Sequence, residues 1–159
     1  MRCNLCGNSI KGSDDFCAHC GALFGERVRC GRHSKEQALG ACVICCKPQC
    51  STCGGWLNGI FLCGEHCTYE IVEGMARVFG GSDSAQIEHA KSCLEQDGLH
   101  PFIFSRKASP ISLGGPDYSL FRASGEFDGH IINEYKLMVP SQEVIKAERV
   151  LKKLKLIDQ

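Results

Sequence analysis

Six pairs of metal-ligand residue types at one fixed spacing fill the first 66 positions of this chain: Cys3/Cys6, Cys17/Cys20, Cys30/His33, Cys42/Cys45, Cys50/Cys53 and Cys63/His66. Two intervening residues let a chain turn tightly and aim two side chains at one tetrahedral ion. Twelve ligands in six pairs predict three four-coordinate sites.

A small disulfide-rich secreted protein would also be rich in cysteine. Three features favour metal instead. The chain has 13 cysteines, an odd number. Two of the pairs contain histidine, which a disulfide cannot use. The opening MRCNLCGNSI has no apolar run of the kind an export signal needs, and no segment reaches membrane-spanning length. The expectation is a protein of the reducing cytoplasm with no membrane partner, holding three structural Zn²⁺. Iron in a four-thiolate site is the alternative, but the Cys/His pairs suit zinc better. Catalytic zinc keeps an open position for water, whereas here every pair finds a partner pair.

The formal net charge is zero, with 18 Lys/Arg against 18 Asp/Glu. Residues 1–67 carry seven of the basic and five of the acidic residues. Three divalent ions and ten thiolates would bring this region from +2 to about −2, because ligand cysteines bind deprotonated. The remainder also sums to −2. Neither part has the basic excess that drives phosphate-backbone binding.

Residues 1–25 form a first module, C-N-L-C-G followed by C-A-H-C-G. Gly7 and Gly21 follow their pairs because the turn there favours positive φ. Phe16, Leu23 and Phe24 are expected to pack a very small core, and His19 to be an exposed knuckle residue. This stretch resembles the short zinc-ribbon domains at the N-termini of many prokaryotic proteins, which implies one zinc on Cys3, Cys6, Cys17 and Cys20.

Residues 28–68 form a second module. Only four residues separate Cys45 from Cys50, too few for the second and third pairs to share one site comfortably, and interleaving the pairs resolves this. With Cys-x2-His first and last, the order resembles a B-box zinc finger. The resemblance implies one zinc on Cys30, His33, Cys50 and Cys53, and another on Cys42, Cys45, Cys63 and His66. Cys46 and Cys67 directly follow ligands, so either thiol can replace its neighbour; the two-residue spacing favours Cys45 and His66. GGWLNGIFLC reads as a β-hairpin about an Asn58-Gly59 turn. Modules this small need staples, and each structural zinc supplies on the order of 10 kcal/mol of coupled folding energy.

Residues 74–159 hold one cysteine, Cys93, and take up apolar periodicity. Met75 to Phe79 reads as a strand ending at Gly80-Gly81. A helix follows, with Asp83 and Gln86 as a capping box, Ile87, Ala90 and Leu94 as its apolar face, and Gly98 as its stop. His100 to Phe104 is the next strand, and SRKASPISLGGPDYS reads as a long loop. A strand between Ile131 and Val139 precedes a final helix from Ser141, whose stripe is Val144, Ala147, Leu151, Leu154 and Ile157. The order β-α-β-β-α predicts an α+β, ferredoxin-like domain. C-L-E-Q-D-G-L, the H-P-F strand and L-M-V-P before a helix rich in Ala, Leu and Lys make this half similar to a mainly bacterial family of signal-transducing domains with a PII-like fold. The stretch from Ser105 to Gly129 is longer than that family's usual loop.

No catalytic residue emerges. Cys93 and His89 share a helix face, but a Cys–His dyad needs a lowered thiol pKa and an orienting group, so Cys93 reads as a core residue. Gly80-Gly81 reads as a tight turn ahead of an anion site. The expectation is a non-enzymatic adaptor or regulator that binds a protein partner, with Trp56, Ile60 or Phe61 on the hairpin either as contacts or as a cap on the zinc core. The alternatives are nucleic-acid binding through the ribbon, whose only local basic cluster is Arg27, Arg29 and Arg32, and small-ligand sensing by the C-terminal domain.

Overall fold

The computed structural model describes residues 1–11, 14–25, 27–105 and 134–157. Its strands are β1 (Gly40–Ala41), β2 (Pro48–Gln49), β3 (Gly54–Leu57), β4 (Ile60–Cys63), β5 (Ile71–Val72), β6 (Met75–Gly81), β7 (Phe102–Ser105) and β8 (Tyr135–Pro140). Helix α1 (Ser84–Gln96) lies between β6 and β7, and α2 (Val144–Lys153) follows β8 through a 3-10 turn at Ser141–Glu143. Two compact units result: Met1–Ala76 with Pro140–Lys146, and Arg77–Val139 with Ala147–Gln159. Residues 1–25 and 28–68 fall within the same unit.

In the first unit four of the six ligand pairs sit at reversals that share one hydrogen bond. The N–H groups of Gly7, Gly21, Cys46 and Gly54 donate to the carbonyls of Cys3, Cys17, Cys42 and Cys50, four residues back. The N–H groups of Cys3, Cys17 and Cys42 donate forward to Asn8, Ala22 and Lys47. Gly7 and Gly21 take φ of 72° and 84°, as the knuckle turn demands. Cys46 occupies the same position with φ 58°, where a Cβ is unfavourable.

Pairing of Gly40 with Gln49 and of Ala41 with Pro48 closes a reversal around the Cys42–Cys45 knuckle. The short spacer after Cys45 is thereby spent on strand β2, and Cys50 leaves for a different set of ligands. Strands β3 and β4 pair antiparallel from Gly54 with Cys63 to Leu57 with Ile60. Asn58 (φ 50°) and Gly59 (φ 80°) make the expected left-handed two-residue turn.

Phe61 is not a surface residue of this hairpin: it is fully buried, while Trp56 is 40% exposed and packs edge-on against it with ring centroids 5.4 Å apart. Three glycines make room for the Phe61 ring. A Cβ on Gly40 would lie 2.5 Å from its Cδ2, one on Gly54 2.9 Å from its Cε1, and one on Gly21 2.7 Å from the Phe61 Cβ. Of the small core expected of Phe16, Leu23 and Phe24, Phe24 is 36% exposed, while half-buried Phe16 and Leu23 face each other across an antiparallel bridge. Buried Cys3, Cys17 and Cys20 make that core, with Cys6, Ile10 and Ala22 packed against them.

A hairpin outside the sequence reading joins β5 to β6, with Val72 opposite Met75 and the turn made by Glu73 (φ 51°) and Gly74 (φ 79°). The backbone N–H and side-chain hydroxyl of Ser141 both donate to the Gly74 carbonyl at 2.9 Å.

The order of the four-stranded sheet is β5-β6-β8-β7, so the β6–α1–β7 connection skips over the place taken by β8. Strands β7 and β8 run antiparallel, with Ile103 opposite Leu137. In the second unit Ile87, Ala90 and Leu94 are buried as the helical period predicts, together with Leu99, Leu137, Val139, Ala147 and Leu151. Gly80 and Gly81 are strand residues without positive φ, and neither forms the expected turn. Gly80 instead makes way for the Arg77 guanidinium, which a Cβ there would strike and which pairs with Glu134. The Asp83 carboxylate accepts from the N–H groups of Ala85 and Gln86, so the α1 N-terminus is satisfied by its own chain.

Both helices end in the same double hydrogen bond. Gly98 and Leu99 donate to Glu95 and Leu94; Lys155 and Leu156 donate to Lys152 and Leu151. Lys155, at φ 57°, ends α2 before the expected stripe is complete, leaving Leu154 and Ile157 half-buried beyond the helix. The expected loop from residue 106 and the start of the expected strand at Ile131 lie outside the described residues.

Candidate metal centres

Three sets of four side chains converge among the described residues. Centre A comprises Cys3, Cys6, Cys17 and Cys20; centre B, Cys30, His33, Cys50 and Cys53; centre C, Cys42, Cys45, Cys63 and His66. In each, the ligating atoms all lie within 4.8 Å of one another. Centres B and C interleave along the chain.

The internal edges suit a tetrahedral ion. Bond lengths of about 2.3 Å to sulfur and 2.0–2.1 Å to nitrogen imply sulfur–sulfur edges of about 3.8 Å and sulfur–nitrogen edges of about 3.5 Å. In centre A, the Cys3–Cys20 and Cys6–Cys17 sulfurs are 3.7 and 3.6 Å apart. In centre B, His33 Nδ1 lies 3.3 Å from both the Cys50 and Cys53 sulfurs. In centre C, His66 Nδ1 is 3.5 Å from Cys42 and 3.0 Å from Cys63, and the Cys45–Cys63 edge is 4.0 Å. Both histidines present Nδ1 to the sulfurs, and the His66 ring is tilted against Tyr69.

Thiols packed this closely cannot all ionise without a cation. In centre C, the hydrogen bond from the Cys45 thiol holds Cys42 down to about 4, and the same bond, with burial, pushes Cys45 up. In centre B, the Thr52 hydroxyl and His33 hold Cys50 down to about 6, while burial drives Cys53 up to about 11. In centre A, the Cys6 backbone N–H lowers Cys3 to about 7, and burial raises Cys17 and Cys20. One thiolate forms readily in each centre and its neighbours resist. A divalent ion held there would supply the charge that lets the rest deprotonate.

A second layer of polar groups escaped the sequence reading. Asn8 Nδ2 donates to the Cys6 sulfur at 3.4 Å, and the Thr52 hydroxyl lies 2.9 Å from the Cys50 sulfur. Each sits two residues after its ligand, a spacing visible in the sequence. The Cys30 thiol donates to Oε1 of buried Gln49 at 3.8 Å, a contact made across the fold with no local signal. Such groups orient and tune metal ligands.

Cys46 and Cys67 stay outside the three sets; both are exposed, and the Cys67 thiol donates to the Gly64 carbonyl. His19 is exposed and also outside them. Arg29 donates to the Lys35 carbonyl and Arg32 pairs with Glu65. Cys93 is half-buried, not a full core residue, with its sulfur 3.8 Å from His89 Nε2. No helix among the described residues is long and apolar enough to cross a membrane. Comparison with protein-family models, curated proteins and solved structures found no match to this chain.

Proposed function

We propose that this chain is a zinc-binding, non-enzymatic adaptor or regulatory protein of the cytoplasm that associates with another protein. The carrying observation is the closure of all three centres. Each holds four side-chain ligands at tetrahedral spacing, the pattern of structural zinc, where catalytic zinc leaves a position for water. The mixed Cys/His sets of centres B and C favour zinc over iron. Centre A suits a zinc ribbon and the interleaved B and C a B-box-like finger. The β6-β8-β7 strand order with two helices suits the ferredoxin-like, PII-related reading of the C-terminal part.

Trp56 and Leu57, 40% and 47% exposed on β3, are the natural contacts for a protein partner. The nucleic-acid alternative is weaker because Arg29 and Arg32 are engaged within their own unit. Sensing of a small ligand rests on fold likeness alone.

The reading is tested by metal analysis of protein purified without added metal, followed by capture of partners from its own cytoplasm with zinc-loaded, chelated and Trp56→Ala/Leu57→Ser protein. The expected result is about three zinc ions per chain and a partner retained only by the loaded, unsubstituted form. Two or fewer ions after mild purification, or a partner indifferent to both chelation and the double substitution, would overturn it.

A further inference from the structure

Centres A and C are joined by backbone. The N–H of Phe61 donates to the carbonyl of Cys20 at 2.9 Å, and the N–H of Ala41 donates to the carbonyl of Gly21 at 2.8 Å. Cys20 is a ligand of centre A. Ala41 immediately precedes Cys42, and Phe61 stands two residues before Cys63, both ligands of centre C. The Phe61 carbonyl in turn accepts from Val43, on the other side of Cys42. The knuckle that closes one centre therefore rests on the two segments that open the other. Gly21 lies against both segments, since a Cβ there would strike the Ala41 carbonyl oxygen and come within 2.7 Å of the Phe61 Cβ.

We infer that centres A and C load metal as a coupled pair, with the Cys20–Gly21 backbone seated on Ala41 and Phe61 as the link. This rests on the reading that the centres hold metal. Metal at centre C fixes Ala41–Cys42 and Phe61–Cys63, which sets the two N–H donors and the buried ring in place for the Cys20–Gly21 knuckle. Centre A then closes on a surface already ordered and loses less conformational freedom on binding. By thermodynamic reciprocity, metal at A favours C by the same factor. Centre B does not share these two hydrogen bonds.

Two glycines allow a test that leaves every ligand intact. Gly7 and Gly21 hold the same knuckle position with φ of 72° and 84°, but a Cβ on Gly7 meets nothing within 4 Å. Gly7→Ala thus carries the conformational strain alone, whereas Gly21→Ala carries the strain and also wedges the link apart.

The experiment titrates Co²⁺ alone into the full reduced chain and reads the occupancy of each centre from protection of its cysteines against alkylation, resolved by mass spectrometry. Disabling centre A with Cys3→Ser/Cys6→Ser is expected to weaken centre C by about 5- to 150-fold, the usual range of coupling between sites. Disabling centre C with Cys42→Ser/Cys45→Ser should weaken centre A equally. The dependence of C on A should persist in the Gly7→Ala background and fall below twofold in Gly21→Ala. A change below twofold at C when A is disabled in the otherwise unsubstituted chain overturns the coupling, even though all three centres still load. Full dependence retained in Gly21→Ala overturns the proposed route. A chain that protects none of its cysteines with Co²⁺ overturns the metal reading itself, a different and recognisable outcome.

Discussion

Replacing Phe61 by alanine should loosen metal at more than one centre, although Phe61 is not a ligand. The ring is fully buried, and glycine backbone at positions 21, 40 and 54 lies against the residue. No side chain on those glycines can swing in to refill the space, so relaxation is limited. The cost should fall within the usual range for Phe→Ala in a core, about 3–5 kcal/mol. If metal carries the folding of this unit as proposed, that cost appears as a higher free-metal concentration at half-loading. If all three ions bind in one cooperative step, 3–5 kcal/mol shared among them at about 1.4 kcal/mol per tenfold shifts the midpoint by roughly 5- to 15-fold. If centre C alone answered for the ring, its affinity would fall by more than about a hundredfold with centre A unmoved. Competition with a chromophoric zinc chelator, paired with cysteine alkylation, separates these patterns. A midpoint shift below twofold at every centre would refute the placement of Phe61 at the heart of the unit.

Further outcomes are expected. Cys50→Ser should expose Cys30 and Cys53 to alkylation while Cys3, Cys6, Cys17 and Cys20 stay protected; full protection of Cys30 would refute the interleaving. Cys46→Gly should relieve the left-handed backbone at that knuckle and stabilise the loaded unit by about 0.5–1 kcal/mol, and Cys67→Ser should be silent, both with zinc content unchanged by metal analysis. Thr52→Val removes the hydroxyl that holds Cys50 low. The thiol pKa rises, protons compete better for the sulfur, and in a downward pH titration followed by Co²⁺ absorbance centre B should release its ion at higher pH than the unsubstituted chain; unchanged release would refute the role of Thr52. Chelation should abolish cooperative unfolding of the cysteine-rich segment while α1 and the part of α2 from Ala147 onward keep their circular-dichroism signal and melt, a result that complete loss of structure would contradict.

What could be read from the sequence was whatever depended on local spacing. The knuckles, the Asn58-Gly59 hairpin, the Asp83 cap and the Ile87–Ala90–Leu94 face are each written within a few residues, because their geometry follows from a turn or a helical period. The grouping of ligands into centres B and C was also accessible, since the short spacer between Cys45 and Cys50 leaves little room for another arrangement. Contacts made across the fold were not. Phe61 reads as one more apolar residue on an exposed hairpin until Gly21, some 40 positions earlier in the chain, is seen packed against it. Gly80 reads as a turn until Arg77 is found lying over it, paired with Glu134. The β5–β6 hairpin had a signal that went unused: Gly74 after Glu73, between short apolar runs. The early end of α2 was hidden because Lys155 adopts the left-handed conformation that sequence rules assign to glycine or asparagine.

The two units are held together by different physics, and this bears on how each can be used. In the second, Ile87, Leu94, Leu137, Val139 and Leu151 are buried as an ordinary apolar core, whose strength scales with the area removed from water. In the first, most of the cysteines of the three sets are themselves among the buried residues, beside Phe61, Ile44, Val43 and Leu62 and the small Ala38, Gly40 and Ala41. With metal bound as proposed, ligand bonds would add to the cohesion of that small core. A unit so held need not bury every large side chain to stay folded. Trp56 and Leu57 can therefore remain on the surface of the β3–β4 hairpin, stiffened by the same backbone that delivers Cys53 and Cys63 to separate centres. The stiffness bears on the proposed interaction, because an aromatic anchor on a pre-ordered hairpin would lose little freedom if a partner covered it.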